Sequence, residues 1–105
     1  MKSKELIYAL LADQDLLEMF VYIGEDDIIA ATRLIRQITA KIEWIAASGF
    51  PGVARDDLRH GLRALPFRRR CIYFRTTPEQ VIILRVLHGH QQLSSDLFPE
   101  EEQED

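Results

Sequence analysis

Gly61-Leu-Arg-Ala-Leu-Pro-Phe-Arg-Arg-Arg-Cys-Ile-Tyr-Phe-Arg-Thr-Thr-Pro-Glu-Gln-Val-Ile-Ile-Leu-Arg-Val-Leu-His-Gly89 contains two apolar runs, Cys71–Phe74 and Val81–Leu87, rich in β-branched and aromatic residues. Thr76-Thr77-Pro78-Glu79 lies between them. Runs of this composition split by a short turn sequence predict an antiparallel hairpin, since a parallel pair needs a longer crossover. Side chains alternate faces along a strand. Unbroken alternation puts Ile82, Leu84 and Val86 on one face of the second strand, and Val81, Ile83, Arg85 and Leu87 on the other. On the first strand it groups Ile72 with Phe74, and Cys71 with Tyr73 and Arg75. The uniformly apolar faces are assigned to the core. The remaining face mixes apolar side chains with arginines where a one-sided sheet would be polar, which predicts a covering partner.

Upstream, Lys4–Ala9 reads as a first strand, with Leu6 and Tyr8 on one face. From Leu10 to Ile23 the spacing is helical: Leu16, Phe20 and Ile23 recur, with Leu17 and Val21 beside them. Asp13 and Asp15 suit the positive end of that helix's dipole, and Gly24 suits its end. Asp26 and Asp27 offer N-caps for a second helix. Its stripe is Ala31, Leu34, Ile38, Ile42 and Ile45, and Ser48-Gly-Phe-Pro-Gly52 stops it. Val53–Asp57 reads as an extended loop and Leu58–Leu65 as a strand closed by Pro66. Phe67–Arg70 reads as a basic turn, and His90–Phe98 as a short final helix capped at Ser94 or Ser95. The expected fold is therefore α+β: an N-terminal strand, then an antiparallel helical hairpin packed on one face of a small antiparallel sheet, in the order β-α-α-β-β-β.

The 105 residues suit one domain, and 47% apolar content supplies its core. The formal net charge of -4 hides an uneven distribution. Residues 99–105 carry five acids and no base; this composition marks an acidic, disordered tail after a single domain at 1–98. Between Arg55 and Arg85 eight arginines face only Asp56, Asp57 and Glu79. Cys71 is the single cysteine, so no intramolecular disulfide is expected, in keeping with a reducing cytoplasm. No signal sequence or transmembrane run is visible, so no membrane role is expected. His60, His88 and His90 lack the companions a metal site needs, and no cofactor is expected.

Four pieces of sequence bear a family resemblance running from about Leu6 to Phe98. They are Ala12-Asp-Gln-Asp-Leu16; Tyr22-Ile-Gly-Glu-Asp26 followed by Ala30-Ala31; Pro51-Gly52 through Arg55-Asp-Asp-Leu58 to Gly61-Leu-Arg63; and Ile72-Tyr-Phe-Arg75 with Leu84-Arg-Val-Leu-His-Gly89. In this order the chain resembles the ParE branch of the ParE/RelE toxin superfamily of type II toxin–antitoxin systems. The resemblance implies the same fold, a toxin that poisons DNA gyrase (or the related topoisomerase IV), and a cognate ParD-like antitoxin. Operator DNA would be met only through that antitoxin. The family's serine or threonine cap before the first helix is replaced here by Ala9, and the Phe67–Arg70 turn is more basic than the family pattern.

On this reading the mixed sheet face, with Tyr73, Arg75, Val81, Ile83, Arg85 and Leu87, is the expected antitoxin site. Arg68, Arg69, Arg70, His88 and His90 are the expected target contacts. The sibling RelE branch consists of ribosome-dependent mRNA endonucleases, and for that alternative Arg63, Arg85 and His88 would carry phosphate binding and proton transfer. No tyrosine follows Tyr73, so this catalytic set is incomplete. A member that binds its antitoxin and has lost toxicity is the third reading. Several of these residues also have plainer readings. Arg63, Arg75 and Arg85 suit surface ion pairs, His88 a structural hydrogen bond, and Cys71 an inert thiol. Trp44 suits padding of the helices or a partner anchor, and Arg68–Arg70 a solvated turn or a contact with DNA or carboxylates. The acidic tail folding back onto the arginines is a further expectation.

Overall fold

The computed structural model describes residues 3–99. Strand β1 (Glu5–Tyr8) leads into helix α1 (Leu10–Gly24) and helix α2 (Ile28–Ser48). Strands β2 (Val53–Ala54), β3 (Arg63–Phe67), β4 (Arg70–Thr76) and β5 (Gln80–His88) follow, and a 3-10 turn at Ser95–Leu97 is the last element among the described residues. The sheet has the order β1-β5-β4-β3-β2. It is mixed: β1 pairs β5 in parallel, and the remaining pairs are antiparallel. The all-antiparallel expectation is corrected on this point. The helical hairpin between β1 and the later strands brings β1 back alongside β5, which is the long connection a parallel neighbour requires.

The helices form for the reasons their sequences offer. The Asp27 carboxylate accepts from Ala30 N at 3.0 Å and caps α2, and Gly49 takes the left-handed conformation that ends it, at φ 71°. Ala31, Ile38, Ile42, Ile45 and Ala46 are the buried stripe of α2. Ala9 stands at the N-cap of α1 and offers no side-chain bond there. The strand expected at Leu58–Leu65 begins later. Residues 58–62 form a turn in which Asp56 accepts from Gly61 N, and β3 runs on through Pro66 to Phe67. Pro66 is tolerated because β2 pairs only with Ala64 and Arg63, leaving the outer edge of β3 open beyond them.

Two apolar clusters share the sheet. On one face, Ile72, Phe74, Val81, Ile83 and Val86 pack with Ala12, Ile38, Ile42, Ile45 and Ala46 of the helices. On the other, Leu62, Ala64, Cys71, Tyr73, Ile82, Leu84 and Leu87 pack under Phe98, with Leu58, Leu93 and Leu97 at the margin. The expected side-chain parity of β5 therefore fails. Tyr73 pairs with Arg85 but Phe74 pairs with Ile83, so Leu84 has no opposite residue and the ladder bulges there. An extra residue resets the alternation. Val81 and Ile83 lie under the helices, while Ile82 and Leu84, expected in the core face with Val86, lie on the opposite side.

Candidate protein-binding surfaces

The sheet face expected to await a partner is covered by the chain itself. Phe98 meets the Tyr73 ring edge-on at 4.9 Å between centroids. Tyr73 and Leu87 are buried, and so are Val81 and Ile83 beneath the helices. As the fold stands, none of these four side chains is exposed. Arg75 is half-buried in register with Ile82. Burial pushes the Tyr73 hydroxyl up to about 12, aided by its bond with Cys71. Burial also raises the Cys71 thiol, which fits the inert reading of that residue.

Arg85 is held by three side-chain hydrogen bonds. Its Nε and Nη2 donate to the two carboxylate oxygens of Asp15 at 2.8 and 2.7 Å, and its Nη1 donates to the Leu97 carbonyl at 2.9 Å. The same Asp15 accepts from Val86 N at 3.0 Å. β1 pairs β5 only as far as Ile83, so Asp15 serves the strand edge where β1 has already turned into α1. Only 16% and 9% of these two side chains is exposed. The bidentate bond to Asp15 raises the Arg85 guanidinium above its ordinary value. Asp15, expected merely to favour the helix dipole, instead ties α1 to β5, and through Arg85 to the C-terminal segment.

The endonuclease set is not assembled. Arg63 lies in register with Phe74, while His88 lies opposite Arg70, itself paired with Phe67. Four residues along the strand and two strand spacings separate Arg63 from His88, roughly 16 Å between backbones. The third member, Arg85, is engaged by Asp15 and Leu97.

The five expected target contacts do converge. Arg68 and Arg69 form the two-residue turn between β3 and β4, with φ 53° and 65°. Arg69 carbonyl accepts from Gly89 N at 2.7 Å, which pins the turn to the end of β5. Gly89 is required at that approach, because a Cβ there would stand 2.9 Å from the Arg69 oxygen. Arg70 pairs with His88 across the ladder, and burial lowers its guanidinium. The His88 and His90 rings lie 5.5 Å apart.

The family described as "ParE toxin of type II toxin-antitoxin system, parDE" matches residues 6–93. The chain belongs to the ParE toxin family. It is 34% identical over 95 residues to the putative toxin Y4kP of Sinorhizobium fredii, covering 88% of this chain and 95% of that one. It is 40% identical to toxin ParE3 of Caulobacter vibrioides over 52 residues, 48% of this chain and only 52% of that relative. Its fold matches a chain of the solved chromosomal ParDE toxin–antitoxin system from P. aeruginosa with a TM-score of 0.69 and 19% identity, over 82% of this chain and 96% of that one. The α+β expectation, with its strand–helix–helix–strands order, holds for this ParE-family chain.

One surface of this ParE-family toxin escaped the reading of single residues. Leu17, Val21 and Tyr22 on α1, and Ile28 and Ile29 on α2, are more than half exposed. Ile28 and Ile29 line a shallow groove along α2 with Thr32, Arg33, Arg36 and Gln37. The signal was present: the apolar arc of α1 includes Leu16, Leu17, Met19, Phe20, Val21 and Ile23, wider than one buried face needs. Trp44 pads the outside of α2, its ring tilted against Phe50 at 5.2 Å between centroids with Lys41 Nζ over its face. Among the described residues no three His, Cys, Asp or Glu side chains cluster as metal ligands, and no helix is long and apolar enough to cross a membrane. The acidic tail beyond Pro99 lies outside the described residues.

Proposed function

We propose that this ParE-family toxin inhibits DNA gyrase in the cytoplasm by protein contact, catalysing no reaction of its own, and that a ParD-type antitoxin neutralises it. The separation of Arg63, Arg85 and His88, with Arg85 locked by Asp15, carries the non-catalytic part. General acid–base chemistry on RNA needs its groups within hydrogen-bond reach of one phosphodiester. The target name comes from the family resemblance. Arg68, Arg69, Arg70, His88 and His90 are the side chains assigned to the target.

The antitoxin is assigned to the exposed apolar strip near the α1–α2 junction. The sheet face is already occupied by Phe98, Leu97 and Leu93, whereas Leu17, Val21, Ile28 and Ile29 lie open. Open apolar side chains on both helices call for a cover. An amphipathic helix laid along α2 would bury it, with its acidic side chains meeting Arg33 and Arg36.

The test is a supercoiling and cleavage assay with purified gyrase, ATP and plasmid, with topoisomerase IV in parallel. The expected outcome is protein-linked linear DNA that disappears when the antitoxin is added. Full enzyme activity at saturating toxin rejects the gyrase reading. For the antitoxin surface, Val21→Lys with Ile29→Lys is expected to abolish antitoxin capture while leaving gyrase inhibition in place. Undiminished capture rejects that surface.

A further inference from the structure

Among the described residues, the tip of the β3–β4 hairpin is the one place with backbone strain at two consecutive non-glycine residues: Arg68 and Arg69 both occupy the left-handed region. Two-residue turns with positive φ at both positions favour Asn-Gly, because those residues adopt it at least cost. Two arginines in that turn keep charge at the expense of conformation, and strain of this kind marks positions held for function. The turn is also pinned. Gly89 N donates to the Arg69 carbonyl, which only a glycine permits there, and Arg70 Nη1 donates to the Arg68 carbonyl at 3.4 Å.

Two further features define the chemistry. First, the chain has no Asp or Glu between Asp57 and Glu79, and none again until Asp96. Arg68, Arg69, Arg70, His88 and His90 therefore come from segments that supply no carboxylate of their own. Second, among the described residues the exposed large apolar side chains are Leu10, Leu17, Val21, Tyr22, Ile28, Ile29, Trp44 and Val53, none of them on this tip. A protein interface has an apolar core depleted of charge. A surface of guanidiniums and imidazoles without exposed apolar anchors has the composition of a phosphate-backbone contact.

We infer that the β3–β4 tip binds the phosphate backbone of duplex DNA directly, without sequence preference and without antitoxin or gyrase. This deepens the target assignment above: at a gyrase–DNA complex, these arginines would hold the DNA while other surfaces meet the protein. It also departs from the expectation that DNA is reached only through the antitoxin. The inference rests on the target reading only for where the DNA is found, so its test omits gyrase.

The experiment is fluorescence anisotropy of the purified full chain with a labelled duplex of arbitrary sequence, from about 20 to about 200 mM salt. Each neutralised phosphate contributes about 0.9 to the slope of log affinity against log salt. Three arginine contacts predict a slope of about -2.7, or a roughly 500-fold loss across that tenfold range. The double variant Arg68→Asn/Arg69→Gly places the preferred residues in the turn, so it is expected to fold at least as well. Its slope should shrink by about 1.8. Arg68→Lys/Arg69→Lys should retain the parent slope. The inference is overturned if the parent chain fails to bind duplex at the lowest salt, or if Asn-Gly binds with the parent's slope. It is equally overturned if a polyglutamate chain of matched charge binds as tightly as the duplex, since the tip would then be an acidic-protein contact. Gyrase inhibition by a chain that binds no DNA would leave the gyrase reading standing and remove this one alone.

Discussion

Arg85 and Asp15 show how much one side-chain pair organises. Their bond joins residues 70 positions apart, and the free arms of each extend it to the Val86 amide and the Leu97 carbonyl. Removing one member leaves a largely buried charge unpaired, a loss of about 3 kcal/mol. Arg85→Ala and Asp15→Asn are each expected to lower the urea midpoint accordingly. Asp15→Leu/Arg85→Met, which removes both charges, should cost clearly less than the sum. Additive losses would show that the pair is not coupled. Tyr73 supplies a second residue-scale test. Its folded-state hydroxyl ionises near 12, above its ordinary value of 10.0. The protonated form is thus favoured in the native state, and this stabilisation is complete below pH 10. It is lost as pH rises from about 10 to about 12, by up to about 3 kcal/mol. Tyr73→Phe cannot ionise, so its stability should fall less steeply across that window. Identical pH profiles would show that burial of this hydroxyl is not coupled to folding.

At the scale of elements, α1 lacks what α2 has. Asp27 caps α2, whereas Ala9 leaves the first amides of α1 without a side-chain acceptor, although its extended backbone at φ -66° and ψ 154° suits a cap. Ala9→Ser should stabilise by about 1 kcal/mol, read as a raised thermal midpoint with no change in fold. A lowered midpoint would mean that the apolar packing of Ala9 against the second cluster outweighs the cap. The helices and the β4–β5 hairpin were legible because their determinants are local: a 3.6-residue stripe from Ala31 to Ile45, a capping Asp27, a terminating Gly49, and two β-rich runs around a turn. The bulge at Leu84 was not legible. Nothing in Val81–Leu87 announces an extra residue, and one such residue exchanges the faces of everything beyond it. Nor does any local pattern state that Glu5–Tyr8 will lie parallel to β5, since that pairing forms only after both helices have packed. The basic tip was legible as charge, but its positive-φ geometry appears only with the register of β3 against β4.

At the scale of the whole molecule, the sheet separates two cores of different character. One is sealed by two long helices, the other by a short C-terminal segment whose hold is Phe98 on Tyr73, the Leu97 carbonyl on Arg85, and the Pro99 carbonyl on Arg59 at 3.0 Å. A short segment that adds no strand to the sheet is expected to open as a local unit before the helices do. Phe98→Ala removes the aromatic anchor. Burial alone would set a loss of about 3–5 kcal/mol if the segment stayed in place around the cavity. Local release caps the global loss at what the segment contributes, so the fall in midpoint should be smaller. Hydrogen exchange is then expected to accelerate at residues 93–98, with new dye binding at the uncovered Tyr73, Leu84 and Leu87 face, while Ile38–Ile45 of α2 keeps its protection. A uniform rise in exchange across both faces would mean that the sheet and its two covers unfold as one cooperative unit, and that the C-terminal segment is as integral as the helices.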